Sequence, residues 1–387
     1  MKRNLQARTE QIIAMLCVVL LLSACGTDSA EAYSKEGLEY YEAGEYESAA
    51  QSFMTAIEKD EGCADYYLYL CYALAAQGDI AGAASACQNA LALSEDDPAV
   101  WRALGITSYL AADYETAAEY FTQALDLSEG VEDAAGTISD LYLYRAASYG
   151  YLGEYESAIA DYTALLETAD SQNAQAYFGR GCAYARIGDG TQALEDLKAC
   201  VELAPYELGY YVEGYLTLTE CGYNIAAAKL LSLAPDPDTE ADAVYTAAIL
   251  YYSGEYGAAA EYILECGTEL ADALMFLGLA YEALGVYDEA LEVYEGLLGA
   301  VEADSALYYR MALCYEAQGE YEIALEYVGL GLEADDASNA ELLYLEAACY
   351  EYMSDFAAAL EKLQEYADIY GTSDDIEHEI AFLETRI

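Results

Sequence analysis

Small and apolar side chains recur along this chain at helical spacing, and short polar turns interrupt them at nearly regular intervals. The turn is clearest as Gly44-Glu45-Tyr46, Gly153-Glu154-Tyr155, Gly254-Glu255-Tyr256 and Gly319-Glu320-Tyr321. Degenerate copies stand between these, at Gly78-Asp79-Ile80, Ala112-Asp113-Tyr114, Gly188-Asp189-Gly190, Gly222-Tyr223-Asn224, Gly285-Val286-Tyr287 and Ser354-Asp355-Phe356. Successive copies lie 31 to 41 residues apart, mostly 34 or 35. Each period holds two helices and the turn between them. The glycine stands where the first helix ends, a position that favours the left-handed conformation. Leu104, Gly105, Ala117 and Ala124 fall at helical spacing on facing helices and form one seam. Small residues let the helices approach, and larger aromatics fill the gap that remains. One hairpin cannot bury its apolar face alone, so neighbours must stack.

A helix–turn–helix unit of about 34 residues resembles the tetratricopeptide repeat. Trp101, Leu104 and Gly105 match the start of that motif, and Ala117, Phe121 and Ala124 follow at its offsets. Gly37, Tyr40, Ala49, Phe53 and Ala56 do the same in the first copy, and Gly278, Tyr281, Ala290 and Tyr294 in the eighth. Pro205 closes the fifth copy, whereas most copies end in acidic residues. The resemblance covers about 30–373. It implies an all-α fold, an α-solenoid of about ten hairpins in a right-handed superhelix, with first helices lining its concave face. The repeats are expected over 33–373, followed by a cap helix over 374–387 with Ile376, Ile380 and Leu383 on one face. The step of 41 places an insertion near 130–138, and the steps of 32 and 31 point to tightened loops, one at Ala234-Pro235-Asp236-Pro237.

The charge is one-sided. Lys and Arg number 14 against 71 Asp and Glu, for a net charge of -57. Phosphate binding needs clustered cations, so no nucleic-acid partner is expected. The same balance disfavours adsorption to an anionic lipid surface. Disorder is excluded by the abundance of Tyr, Leu, Ala, Ile and Val. The N-terminus differs from the rest. Lys2, Arg3 and Arg8 precede an apolar run from Ile12 to Leu22, too short to span a bilayer. Leu22-Ser23-Ala24-Cys25 resembles a bacterial lipobox. That resemblance implies a lipoprotein signal peptide over 1–24, cleavage between Ala24 and Cys25, a lipid on Cys25 and a short tether over 25–32. The body would then lie outside the cytoplasm in the cell envelope, held to a membrane through its lipid. Stable anchoring takes about two acyl chains.

Candidate chemistry is sparse. His378 is the single histidine, and no second histidine completes a zinc-protease motif. No Gly-rich phosphate loop and no Cys-x-x-Cys pair is present. The cysteines at second-helix positions, Cys87, Cys200 and Cys266, read as buried free thiols rather than a disulfide framework. Asp236, Asp238, Glu240 and Asp242 alternate like calcium ligands, but Ala241 and Ala247 replace the glycine and closing glutamate of such a loop. No enzyme, cofactor or specific metal site is expected.

In the family the chain resembles, the second, fifth, ninth and twelfth positions of first helices face the groove. Carried over, these include Leu68, Tyr72, Arg102, Ile106, Tyr109, Leu143, Phe178, Val212, Leu216, Val244, Tyr251, Met275, Leu279, Tyr309 and Tyr344, with Arg186 beside them. They are mostly apolar or aromatic, which disfavours the carboxylate clamp best known in the family. The groove suits an apolar or aromatic-rich protein segment with basic flanks, because its rims are acidic. An equal alternative is that these side chains bury against adjacent repeats. Two functions stay open. One is a membrane-anchored, non-catalytic scaffold that binds protein segments in the groove. The other is an acidic structural or divalent-cation-binding envelope lipoprotein without a specific protein partner. Capped ends imply a monomer.

Overall fold

A computed structural model describes residues 29–128, 135–168, 170–235, 243–298, 305–334 and 339–387. Among these residues there are 21 helices and no strand. The first five hairpins are α1 (Ala30–Glu42) with α2 (Tyr46–Lys59), α3 (Ala64–Gln77) with α4 (Ile80–Leu93), α5 (Pro98–Leu110) with α6 (Tyr114–Ser128), α7 (Ala135–Leu152) with α8 (Tyr155–Thr168), and α9 (Ala174–Arg186) with α10 (Gly190–Leu203). The next five are α11 (Leu208–Glu220) with α12 (Asn224–Leu231), α13 (Ala243–Tyr252) with α14 (Tyr256–Cys266), α15 (Ala271–Ala283) with α16 (Tyr287–Leu298), α17 (Ser305–Gln318) with α18 (Tyr321–Glu333), and α19 (Asn339–Tyr352) with α20 (Phe356–Tyr370). A last helix, α21 (Asp374–Glu384), caps α20 through buried Ile376 and Leu383. The chain forms two compact units. One runs to Ala204 and takes in Leu216–Ala227; the other comprises Pro205–Tyr215 and Ala228–Ile387.

One turn is repeated ten times. At every marker position the backbone is left-handed, with glycine at eight of them and Ala112 (φ 61°) and Ser354 (φ 64°) at the others. The residue after the marker donates its N–H to the carbonyl five residues back, as Glu45 does to Tyr40 and Asp189 to Tyr184, each at 2.9 Å. This is the six-to-one bond that closes a helix through a left-handed residue. The acidic residue then starts the second helix. Asp79, Asp113, Asp189 and Asp355 accept an N–H three residues on through their side chains. Glu45, Glu255 and Glu320 make no such bond and act only as negative charge at a helix start. The following tyrosine folds back over the turn: the Tyr46, Tyr114 and Tyr256 rings lie 5.2 to 5.4 Å from those of Tyr41, Tyr109 and Tyr251.

The seam inside each hairpin joins residues 16 apart. Gly37 faces Phe53, Gly105 faces Phe121 and Gly278 faces Tyr294, all three rings fully buried. A β-carbon on Gly105 would fall 2.5 Å from the Phe121 ring. In the second hairpin a disulfide between Cys71 and Cys87 takes the same two positions, with their Cα atoms 5.6 Å apart. This corrects the expectation that Cys87 is a free thiol. Short Cys spacings do not reveal this pair, which is set by the facing of two helices. Cys200 is buried and Cys266 partly buried.

Successive hairpins meet partly through their first helices, because α1 packs on α3, α3 on α5, α5 on α7 and α7 on α9. Within the second unit, α13 packs on α15 and α17 on α19 in the same way. The irregular spacings have specific causes. Part of the insertion lengthens α7 to 18 residues, and 129–134 lie outside the described residues. The short steps come from short helices as well as loops: α12 has 8 residues, α13 has 10 and α14 has 11. Asp236 and Pro237 lie outside the described residues, as do residues 1–24, expected as a signal segment, and Cys25. Helix α1 begins at Ala30 with Ser29 as its cap, within the stretch 25–32 expected as a tether.

The seam predicts a coupled pair of mutations. Gly105→Ala forces the Phe121 ring aside and is expected to cost about 1–3 kcal/mol. Once Phe121→Leu has removed the ring, adding Gly105→Ala costs almost nothing. Denaturant unfolding of the parent, both single variants and the double variant checks this. Additive losses would contradict it.

Candidate binding groove

The groove positions divide sharply by burial. Leu68, Tyr72, Arg102, Ile106, Tyr109 and Val212 are buried, each at 9% exposure or less. They pack between neighbouring hairpins rather than present surface. Leu143, Phe178, Val244, Tyr251, Met275, Leu279 and Tyr309 are half-buried, and Arg186, Leu216 and Tyr344 are exposed. The accessible part of the groove surface is therefore carried by α7, α9 and Leu216 in the first unit, and by α13, α15, α17 and α19 in the second.

Burial in α3, α5 and α7 has a polar centre. Arg102 donates through Nη2 to Asp140 at 2.9 Å and through Nη1 to the Tyr72 hydroxyl at 3.3 Å. Three successive first helices are thus tied by one guanidinium. Burial pushes the Asp140 carboxyl up, and the Arg102 charge opposes this. Arg102, a candidate partner contact in sequence, is a structural pin with its charge already used. Arg186 instead reaches Glu220 of the next first helix at 2.6 Å, with 40% of its side chain exposed.

Two further arginines form a repeated clamp that the groove register does not reveal. Arg145 makes a two-pronged pair with Asp161, both bonds at 2.7 Å, and donates to Thr122 at 3.0 Å. Arg180 repeats this with Asp196 at 2.7 and 2.9 Å and with Thr163 at 3.1 Å. Each clamp joins a first helix to its own second helix and to the second helix before it. In the last hairpin the polarity is reversed, with Glu346 of α19 paired to Lys362 of α20 at 3.3 Å.

The second unit has its own polar centre. Tyr294 donates to Glu282, and Arg310 reaches the other oxygen of that carboxylate at 3.5 Å. Burial raises the Glu282 carboxyl despite both partners. The Arg310 guanidinium also lies 5.9 Å from the Tyr309 ring centre. Asp140 and Glu282 stand at groove positions that a search for apolar residues passed over. Their signal was the repeat register itself.

Burial pushes the Cys314 and Cys349 thiols up to about 12, far from nucleophilic use at neutral pH. His378 is exposed on α21. Among the described residues no cluster of three His, Cys, Asp or Glu could hold a metal, and no helix is long and apolar enough to cross a membrane. The alternating acids Asp236, Asp238, Glu240 and Asp242 lie outside the described residues.

The fold and its seam define a helical-hairpin repeat protein. Family models described as tetratricopeptide repeat match at 34–98 and 145–207, and at 100–135 and 273–305. Together these spans exceed half of the chain, which belongs to the tetratricopeptide-repeat family. No curated protein matches the sequence. Several solved structures are similar. MamA is 19% identical, with a TM-score of 0.40, covering 47% of this chain and 97% of its own. YrrB, described as a TPR protein with an unusual peptide-binding site, is 18% identical, with a TM-score of 0.41, covering 55% and 97%. PilW, described as a type IV pilus biogenesis factor, is 16% identical, with a TM-score of 0.46, covering 52% and 90%.

Two outcomes follow from this geometry. Arg102→Ala leaves Asp140 and Tyr72 buried without their partner and is expected to cost about 3–5 kcal/mol in urea unfolding. Arg102→Met combined with Asp140→Leu should recover most of that loss. The second outcome concerns pH. Burial raises the carboxyls of Asp65 and Asp140 above 3.8, and those of Glu282 and Glu346 above 4.5. A raised carboxyl favours the folded state fully below its ordinary value, and that gain is lost as pH climbs through the raised one. The melting temperature should therefore rise as pH falls from neutrality towards the ordinary carboxylate values of 3.8 and 4.5. A fall over that range would contradict the assignment.

Proposed function

We propose that this chain is a non-catalytic scaffold that docks segments of other proteins on the surfaces of its first helices. The observation that carries this reading is the row of accessible apolar and aromatic groove side chains, led by Leu216 at 38% and Tyr344 at 49% exposure. Such side chains on exposed helix surfaces favour an apolar or aromatic segment. The surrounding charge of -57 favours basic flanks on that segment and speeds its capture. We further propose that the scaffold is a lipoprotein of the bacterial cell envelope, cleaved after Ala24, lipidated on Cys25 and facing away from the cytoplasm. The Cys71–Cys87 bond supports this placement, because buried structural disulfides belong to oxidising compartments.

Cross-linking in cells that export the full-length chain tests both parts. The parent should capture one or a few proteins in a membrane fraction. The Phe178→Ser, Leu216→Ser and Tyr344→Ser combination should lose them while keeping its helical signal. Cys25→Ser should move the chain out of the membrane fraction. Identical capture by parent and groove variant, abolished by high salt, would sink the groove reading and favour a charge-driven role.

A further inference from the structure

An open cavity of about 590 Å3 lies in the first unit, away from every groove position. Its walls come from α5, α6, the end of α7 and the turn after it. Trp101, Tyr120 and Tyr149 supply aromatic surface, and Glu115, Glu119 and Glu154 supply carboxylates. Trp101 is fixed in place: its indole N–H donates to the Glu95 carbonyl at 2.8 Å, and its ring lies 5.7 Å from that of Tyr120. Glu115 and Glu119 are one turn apart on α6, a like-charge pair that disfavours the helix unless a cation intervenes. None of the ion pairs among the described residues uses Glu115, Glu119 or Glu154. Arg145 bonds to Thr122 of the cavity wall, yet both oxygens of Asp161 hold its charge.

Aromatic faces and carboxylates around one space complement a single kind of ligand. The rings attract a cation through their negative faces at up to about 6 Å, and they shed water more cheaply than polar walls. The carboxylates add net attraction; the Arg145 guanidinium already lies 6.0 Å from the Tyr149 ring centre, which leaves Trp101 and Tyr120 as the rings open to a cation. A bare metal ion would keep its water shell and gain little from the rings, and an anion would be repelled. A volume of about 590 Å3 exceeds what a simple ion needs and fits an organic group. We propose that this cavity binds an alkylammonium group, either a free quaternary amine or a lysine side chain of another protein. This inference is independent of the groove reading.

The chain's single tryptophan lines the cavity, so its fluorescence reports occupancy. The full chain would be titrated with tetramethylammonium chloride and with a lysine-bearing peptide. Sodium chloride at matched ionic strength is the control. A saturable change with either ammonium probe, absent with sodium, is the expected result. Glu119→Gln with Glu154→Gln should weaken it by about tenfold while leaving the helical signal unchanged. Saturation by tetramethylammonium alone assigns a small-molecule ligand; saturation by the peptide alone assigns a protein side chain. No saturable response from either probe, in fluorescence and in titration calorimetry, would overturn the proposal. So would an equal response to sodium chloride, or equal binding by the variant.

Discussion

The contact between a small residue of each first helix and a large residue of its second helix is the constraint on which the structure rests. It fixes how closely two helices approach, and therefore how the next pair can stack on them. The pair varies along this one chain, with Ala146 opposite Tyr162 in the fourth hairpin and Gly181 opposite Leu197 in the fifth. Glycine faces a phenyl or phenol ring in the first, third and eighth hairpins. Ala247, Ala312 and Ala347 stand at the same register as glycine, and there the buried partners are the aliphatic Ile263, Val328 and Leu363. In the second hairpin a covalent bond replaces the packed pair. The sixth hairpin breaks the pattern: Tyr215 takes the small position and stacks 4.9 Å from Tyr252 instead. Its second helix, α12, is also the shortest of the array.

The second constraint is charge. With 14 basic residues against 71 acidic ones, each cation is scarce. Arg102, Arg145 and Arg180 are all committed to bonds between helices. The removal of one such partner is costly because it strands a half-buried carboxylate. Most acids are left to solvent, where they keep the chain soluble and repel one another. A partner that brings positive charge relieves that repulsion, whether it lies along the first helices or enters the aromatic cavity beside Trp101.

Most of the fold was legible in the sequence because its turn and seam are local. Gly44 and its counterparts must adopt positive φ, and the spacing of Gly37 from Phe53 places both on facing surfaces. The Cys71–Cys87 bond was visible in the same register, yet it was passed over because cysteine spacings were judged without the hairpin geometry. The groove was only partly legible. Position in the repeat marks which side chains point inward, but not which of them the next hairpin covers. Leu68 and Tyr344 share a groove register and differ in fate: the first is buried, while the second stays half-open. The Arg145 and Arg180 clamps were hidden for a related reason. They depend on a threonine one hairpin earlier, and nothing in a single repeat reveals that partner.

If the seam is a matched pair rather than a set of separate preferences, the pair from one hairpin must work in another. The direct measurement is the thermal unfolding of Cys71→Gly with Cys87→Phe, beside each single variant and the reduced parent. The transplanted glycine–phenylalanine pair should unfold cooperatively, close to the reduced parent. Cys87→Phe alone should fall well below it, because its ring meets the Cys71 side chain. A double variant no more stable than Cys87→Phe alone would contradict the claim that this contact specifies the hairpin.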